Sequence, residues 1–256
     1  MDCQSEYVLR YKLVIEYDGT PFVGWQRQKD GLSVQEVLEK ALTVCLRENI
    51  TIFGSGRTDT GVHAKGQVAH FDCGNEINCF KVRESLNALV RPHPISIIAV
   101  EHVSDTFHAR FDAKQRTYIY RILNTRYPPA LEKNRVWWYS KPLDDKLMNQ
   151  AGQLLIGKHD FSTFRASECQ AKSPVKTIDY LKIARQGDEV IMTIKARSFL
   201  HHQVRNIIGS LVNVGNGKWS VENFKAALEA KDRKAGGQTA PACGLYFVTI
   251  QYDENK

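Results

Sequence analysis

The alternation of strand-like and helix-like segments constrains the fold of this chain more than any single motif does. The first half runs strand, helix, strand, strand, helix, strand, judged from apolar periods of two and of 3.6 residues. These segments cover residues 11–17, 34–46, 49–53, 67–72, 80–90 and 95–103. The order predicts a fold of the mixed α/β (α+β) class, in which helices pack on a sheet.

The second half repeats this order loosely. Strands are predicted at residues 116–123, 177–185, 190–196 and 245–252, and helices at 144–156, 198–214 and 221–231. We therefore expect two similar lobes, residues 1–105 and residues 106–256, joined near residues 104–114. Two such lobes would leave a cleft between them, and clefts are where ligands tend to bind.

Two local patterns predict which side chains face the core. Leu13, Ile15 and Tyr17 alternate along the first strand and therefore share one of its faces. Residues 33–36, SVQE, read as a capping box that starts a helix. One face of that helix carries apolar side chains at helical spacing, Val34, Val37, Leu38, Ala41, Leu42, Cys45 and Leu46.

Composition indicates a globular protein of the cytoplasm. The chain has 256 residues, 43% of them hydrophobic, and no apolar run long enough for a membrane span. Residues 1–6 are acidic and carry no apolar stretch, which argues against a signal peptide. The six cysteines include no Cys-x-x-Cys pair, so we interpret them as reduced thiols and expect no zinc site. A net charge of +7 suits a polyanionic partner such as RNA.

Residues 54–64, GSGRTDTGVHA, place three glycines, a cation and a carboxylate in a tight space after a short strand. Arg57 and Asp59 are two residues apart, so an extended segment would point them to the same side. The guanidinium would then keep the Asp59 carboxylate ionised. The same pattern also occurs in plain connecting turns. A phosphate-cradling P-loop would need a Gly-Lys-Ser/Thr ending, and a dinucleotide fingerprint would need a glycine where Asp59 stands.

This stretch resembles the catalytic loop of the tRNA pseudouridine synthase A family, whose motif is close to GRTDAGVHA. Thr60 stands where that family usually has Ala. The resemblance runs from about residue 11 to residue 252. It implies a pseudouridine synthase fold, in which mainly antiparallel sheet carries helices on one face of each lobe.

Further stretches resemble the family in the same order, and each also has a plainer interpretation. FHARF, at 107–111, interleaves the cations His108 and Arg110 with rings, which suits single-stranded RNA, although it could be a core strand with a solvated arginine. Tyr118, in QRTYIY, could be an ordinary core residue. Lys172, in the loop stretches DFSTFR and CQAKSP, could be an ordinary loop lysine.

The run FLHHQVRNIIGSL, at 199–211, is close to the family's FLHHMVRNIVGSL. His201 and Arg205 are four residues apart, so a helix would place them on one face. The adjacent histidines have no carboxylate or cysteine at a metal-binding spacing, so we expect no metal and interpret them otherwise as a surface pair. APACGLYFV, at 240–248, resembles the closing segment of the family.

The resemblance implies the role of each residue. Asp59 would be the catalytic carboxylate, Arg205 its basic partner, and Tyr118 the ring against the target base. Arg57 would face the flipped nucleotide or its phosphate, and Leu245 would reach the pocket floor. The remaining substrate contacts would be His108, Arg110, Lys172 and His201. The implied substrate is uridine at tRNA positions 38–40 in the anticodon stem-loop, bound by a homodimer, with no cofactor.

Two other departures concern loop geometry. Ala242 replaces a proline, and residues 89–95, LVRPHPI, replace a Leu-Pro-Asp-type sequence.

The sequence leaves two other classes of function as alternatives. A non-catalytic RNA-binding protein on the same scaffold would bind tRNA in a salt-sensitive way without isomerising it. A Gly-loop phosphotransferase is disfavoured by the missing Lys-Ser/Thr pair and by the lack of a metal-binding carboxylate cluster.

Overall fold

The computed structural model describes residues 8–253. Predictions made for residues 1–6 and for Cys3 lie outside the described residues. The described chain forms two compact units. One contains the residues up to Lys114 together with those from Phe247 onward, and the other is Gln115–Tyr246.

The end of the chain belongs to the first unit because it contacts residues 107–114, which lie at the boundary of that unit. The backbone N–H of Lys114 donates to the carbonyl oxygen of Gln251 at 2.9 Å. The Tyr252 hydroxyl donates to the Ala109 carbonyl at 2.7 Å, and its ring packs edge-on against Phe107. The predicted lobes divided the chain at 105/106 and placed the chain end with the second lobe, whereas these contacts group residues 106–114 and 247–253 with the first unit.

Helices α1 and α2 of the first unit pack with an antiparallel sheet. Its elements are β1 (Leu9–Tyr17), α1 (Val34–Leu46), β2 (Phe53–Gly54), β3 (His63–Cys73), α2 (Cys79–Leu89) and β4 (Ile95–Val103). Strand β1 is central, because Leu13 pairs with Ala69 of β3 on one side and with Val100 of β4 on the other. The short β2 pairs with β3, which places Phe53 opposite His70.

The predicted core face of β1 is confirmed. That of α1 is confirmed from Val34 to Leu42, whereas Cys45 and Leu46 are only half-buried. Leu13, Ile15 and Tyr17 are each at most 3% exposed. The hydroxyl of Ser33 caps α1 by accepting from the backbone N–H of Glu36 at 3.2 Å. The reciprocal half of the predicted capping box is replaced, since the Glu36 carboxylate instead lies 2.6 Å from Lys40 Nζ.

The second unit also packs helices with antiparallel strands. Its elements are β5 (Gln115–Leu123), β6 (Trp137–Trp138), α3 (Asp145–Gln153), β7 (Gly157–Asp160), β8 (Val175–Gln186), β9 (Glu189–Ala196), α4 (Gln203–Gly215) and α5 (Val221–Ala230). Strand β9 lies between β5 and β8, and β7 extends the sheet beyond β8. The last strand, β10 (Leu245–Gln251), begins in this unit and ends in the first. The α+β class predicted from the sequence is confirmed.

The helix predicted from residue 198 begins later than expected. Helix α4 starts at Gln203, and the preceding His202 has a left-handed backbone with φ of 59°. The Gln203 side chain accepts from the Leu200 backbone N–H at 2.7 Å, which closes a turn before the helix. His201 therefore lies outside α4, and the prediction that His201 and Arg205 share one helical face is wrong.

The helices and the cysteines of the described residues were each predicted from the sequence. Between residues 8 and 253, no helix has both the length and the apolarity that crossing a membrane requires. The five cysteines in that range are free thiols, Cys45, Cys73, Cys79, Cys169 and Cys243.

Candidate active site

Asp59 lies in the loop that connects β2 to β3. The backbone N–H of Val62 donates to the Asp59 carbonyl at 3.1 Å, and Gly61 has φ of 76°, so the chain reverses directly after the carboxylate. A positive φ of this kind favours glycine at position 61. Asp59 is half-buried and Arg57 is exposed.

A second loop, residues 18–33 between β1 and α1, supports the Asp59 loop from the side. The Trp25 backbone N–H donates to the Thr58 carbonyl at 3.1 Å, and the Thr60 hydroxyl donates to the Val23 carbonyl at 3.0 Å. Gly24 makes this approach possible, since a Cβ atom there would lie 2.5 Å from the Thr58 oxygen. Both neighbours of Asp59 are therefore fixed to this second loop.

Buried polar side chains also form hydrogen bonds to the Asp59 loop. The hydroxyls of Tyr17 and Thr58 are 2.8 Å apart, and burial raises the pKa of Tyr17 to about 12. The Gln67 amide accepts from Ser55 Oγ at 2.6 Å and donates to the Gly56 carbonyl at 3.0 Å. Because buried polar groups cost free energy unless they are paired, these contacts restrict the loop to one arrangement. The sequence alone does not reveal that Tyr17, Ser55 and Gln67 support this loop, because the partners of these residues are distant along the chain.

The FHARF segment forms a turn and not a strand, so the interpretation as a core strand is wrong. Asp112 accepts from the His108 backbone N–H at 2.8 Å, and the His108 ring accepts from the Arg110 backbone N–H at 3.1 Å. Phe107 is 1% exposed, whereas Phe111 is 69% exposed. The two phenylalanines of the motif thus serve different purposes, one in the core and one at the surface beside Arg110.

Tyr118 lies on β5 in the second unit. It pairs with Ile194 of β9, is 9% exposed, and meets the Phe199 ring edge-on at a centroid distance of 5.2 Å. Tyr120, two residues along, is fully buried and donates its hydroxyl to the Pro241 carbonyl at 2.7 Å. The two tyrosines share a strand face, but Tyr120 has a plain structural role.

Arg205 lies in the first turn of α4 and is half-buried. Its Nε donates to the Ala240 carbonyl at 2.8 Å, and its own backbone carbonyl accepts from the Ala240 N–H at 3.2 Å. The guanidinium is therefore oriented by the segment just before Leu245, which is 6% exposed at the start of β10.

The remaining predicted substrate contacts of the second unit are at its surface. Lys172 is exposed in the loop before β8. Arg165 closes that loop by donating from Nη2 to the carbonyls of Cys169 and Ala171, the latter at 2.9 Å. His201 is exposed, and its ring lies 4.0 Å from the His202 ring between centroids.

Comparison with known proteins identifies the family. The family model described as tRNA pseudouridine synthase matches residues 13–112 and 151–253. The chain belongs to the tRNA pseudouridine synthase family. It is therefore an enzyme of the isomerase class, and the family resemblance noted from its motifs is confirmed.

Named relatives of this family match nearly the whole chain. The tRNA pseudouridine synthase A of Rhodospirillum rubrum is 50% identical over 96% of this chain and 88% of its own length. That of Paramagnetospirillum magneticum is 53% identical over 95% of each chain. That of Brucella ovis is 53% identical over 95% of this chain and 98% of its own.

The predicted site residues are distributed over both matched segments of the chain and over both compact units. Asp59 lies in the first matched segment and Arg205 in the second, whereas Tyr118 lies between the two. By unit, Arg57, Asp59, His108 and Arg110 belong to the first, and Tyr118, Lys172, His201, Arg205 and Leu245 to the second. The role of each residue in a tRNA pseudouridine synthase remains a prediction.

Proposed function

We propose that this protein isomerises uridine to pseudouridine at positions 38–40 of the tRNA anticodon stem-loop, in the cytoplasm, with Asp59 as the catalytic carboxylate. The observation that carries the proposal is the loop of Asp59. Its sequence resembles the motif of the family, and hydrogen bonds with Trp25, Tyr17 and Val23 hold Thr58 and Thr60 on either side of the carboxylate. A reacting group held in this way loses little freedom when the substrate binds.

The reaction is a rearrangement within one nucleotide. The N1–C1′ bond of uridine breaks, the base turns, and a C5–C1′ bond forms. The hydrogen at C5 leaves as a proton, and N1 gains one. No electrons or groups enter from outside, so the chemistry needs no cofactor. It does need an ionised carboxylate that acts as nucleophile or base. Three roles of Asp59 satisfy this need: attack on C1′, attack on C6, or removal of a sugar proton.

The other proposed residues bind and orient the nucleotide. Tyr118 lies against the target base, Leu245 forms the pocket floor, and Arg57 meets the flipped nucleotide or its phosphate. Removing the base from its stack costs a few kcal/mol. Contacts from His108, Arg110, Lys172 and His201 offset that cost, because stacking and phosphate pairing both stabilise an extruded nucleotide.

Release of tritium tests the role of Asp59. Transfer RNA labelled at uridine C5 releases tritium to water when the new bond forms. We expect Asp59→Asn to stop release while tRNA binding persists. Asp105→Asn, which changes an exposed carboxylate of the same unit, is the matched control and keeps full release. Undiminished release by Asp59→Asn would refute its role, and binding without release by the wild type would indicate a non-catalytic RNA-binding protein.

Arg205 is proposed to keep Asp59 ionised and oriented. Because loss of a neighbouring cation disfavours the charged form of a carboxylate, Arg205→Met should move the acid limb of kcat/KM to higher pH. Arg205→Lys keeps the charge and should leave the limb nearer its original position. An unchanged limb in Arg205→Met would exclude this electrostatic role.

We also propose that the enzyme is a homodimer and that one tRNA contacts both subunits. Light scattering behind size-exclusion chromatography should give a mass about twice the 29.1 kDa of one chain. A mass equal to that of one chain would contradict the dimer.

A further inference from the structure

Four rings of the first unit form a continuous cluster that reaches the surface. We define the ring cluster as Phe53, His70, His108 and Phe111. Phe53 stacks on His70 with centroids 5.1 Å apart and planes 22° apart. His70 meets His108 at 4.7 Å, and His108 meets Phe111 at 4.3 Å with an angle of 36°.

The two ends of the ring cluster face solvent, while its centre is part of the core. His70 is 2% exposed, whereas Phe53 is 48% and Phe111 is 69% exposed. A solvent-exposed aromatic ring has an apolar face, and covering that face with another flat ring lowers the free energy. Two such rings at the ends of one cluster mark a surface for ligand stacking more strongly than a single exposed phenylalanine would.

Hydrogen bonds fix the two histidine rings at the centre of the ring cluster, so the two phenylalanine rings at its ends form a preorganised surface. His70 Nδ1 accepts from the Ala109 backbone N–H at 3.2 Å, and His108 Nδ1 accepts from the Arg110 backbone N–H at 3.1 Å. Phe53 and Phe111 therefore rest on rings that do not need to be ordered when a ligand arrives. Prior ordering of this kind lowers the entropic cost of binding.

Charge around the ring cluster favours a nucleotide as its occupant. Burial lowers the pKa of His70 to about 4. Burial and the nearby Arg10 guanidinium also lower the pKa of His108, so both imidazoles are neutral aromatic rings at pH 7. Arg110 supplies a positive charge at the surface, and its guanidinium carbon lies 5.8 Å from the Phe111 ring centroid. A ring with an adjacent cation matches a base with its adjacent phosphate.

We infer that Phe111 and Phe53 are a base-stacking surface for an unpaired nucleotide of the RNA substrate, with Arg110 binding its phosphate. The inference rests on the proposed function and adds Phe53 and Phe111 to the substrate contacts named there. An apolar protein surface, including that of a second copy of this chain, is the alternative occupant. The exposed guanidinium of Arg110 beside the ring disfavours that alternative, because removing a charged group from water at an apolar interface costs free energy.

Equilibrium binding of tRNA tests the stacking surface, and the chain offers a matched control. Phe80 on α2 is 65% exposed, and the guanidinium carbon of Arg83 lies 5.0 Å from its ring centroid. We expect Phe111→Ala to weaken tRNA binding by roughly 5- to 150-fold, as expected for loss of one stacked base, with a smaller loss for Phe53→Ala. Phe80→Ala should bind within about twofold of the wild type, and Phe111→Trp should restore binding because it retains a ring.

Salt dependence separates stacking from phosphate contact. Phe111→Ala should leave the slope of log K against log salt unchanged, whereas Arg110→Ala should reduce that slope by about one. Thermal unfolding of each variant shows whether it is folded.

Three outcomes would overturn the inference. The first is wild-type affinity in a folded Phe111→Ala variant. The second is equal weakening by Phe80→Ala. The third is a change of oligomeric mass in Phe111→Ala without a change in tRNA affinity, which would assign the surface to a second copy. A wild-type protein that binds tRNA but releases no tritium would refute the proposed function instead and leave the stacking surface standing.

Discussion

The Thr60 hydroxyl donates to the carbonyl oxygen of Val23 at 3.0 Å, which ties the residue after Asp59 to the loop between β1 and α1. The family motif quoted above has Ala at this position, so the contact belongs to this chain's own version of the loop. The structure thus gives a physical role to a residue that the sequence marked only as a departure.

Thr60→Ala is expected to lower the free energy of unfolding by about 1 kcal/mol or less, because it removes one exposed hydrogen bond. Tritium release should persist, since Asp59 and its other supports are unchanged. Thr60→Ser keeps the hydroxyl and is the control. Urea unfolding and the release assay measure the two effects. Complete loss of release in Thr60→Ala would mean that this contact positions the carboxylate itself.

Gly24→Ala is expected to damage the Asp59 loop severely. The added Cβ would lie 2.5 Å from the Thr58 oxygen, and the backbone there has φ of 111°. Gly217→Ala separates the steric clash from the backbone strain. Gly217 has a φ of 76°, but nothing lies within 4 Å of the added Cβ. We expect the control to lose only about 1–2 kcal/mol of stability from its left-handed backbone. Equal effects of the two changes on unfolding and on tritium release would disprove the steric argument.

Tyr118 and Tyr120 should respond differently to substitution although they lie on the same strand. Tyr120→Phe removes the donor to the carbonyl of Pro241, an exposed residue, and should cost about 0.5–1.5 kcal/mol of stability, with tritium release retained. Tyr118→Leu removes the ring proposed to lie against the base and should reduce kcat/KM far more than it reduces stability. A Tyr118→Leu enzyme with normal kcat/KM would remove Tyr118 from the site.

His70 should make the stability of the fold depend on pH between about 4 and 6.5. Burial lowers its pKa from 6.5 to about 4, so between these values the unfolded chain binds a proton that the folded chain does not. Stability is therefore fully present above pH 6.5 and falls as the pH drops toward 4, by up to roughly 3 kcal/mol. His70→Asn should show a flatter profile in urea unfolding at pH 7.0, 5.5 and 4.5. Parallel profiles for the two proteins would contradict this assignment.

Local periodicity predicted most of the regular elements for a clear physical reason. Leu13, Ile15 and Tyr17 alternate because only one face of β1 meets the core, and that pattern is visible within seven residues. Helix α5 (Val221–Ala230) was predicted to within one residue at its end, and the Ser220–Asn223 capping box explains its start.

What the sequence could not predict depends on contacts between distant residues or on unusual backbone. The start of α4 was predicted too early because helical propensity cannot show that His202 takes a left-handed conformation. The bond between Tyr17 and Thr58 joins residues 41 positions apart, and the ring cluster joins Phe53 to Phe111 through His70. The motif predicts Asp59 as the catalytic carboxylate, but it does not reveal the side chains that hold the Asp59 loop.

The return of the chain end to the first unit affects the order of events on the ribosome. Strand β3 has β10 as a neighbour, and Lys114 and Ala109 bond to Gln251 and Tyr252. The N-terminal unit is therefore complete only after the last strand has been synthesised, whereas Gln115–Tyr246 is contiguous and emerges earlier. The turn that carries His108 and Phe111 is consequently among the last parts of a nascent molecule to reach its native contacts.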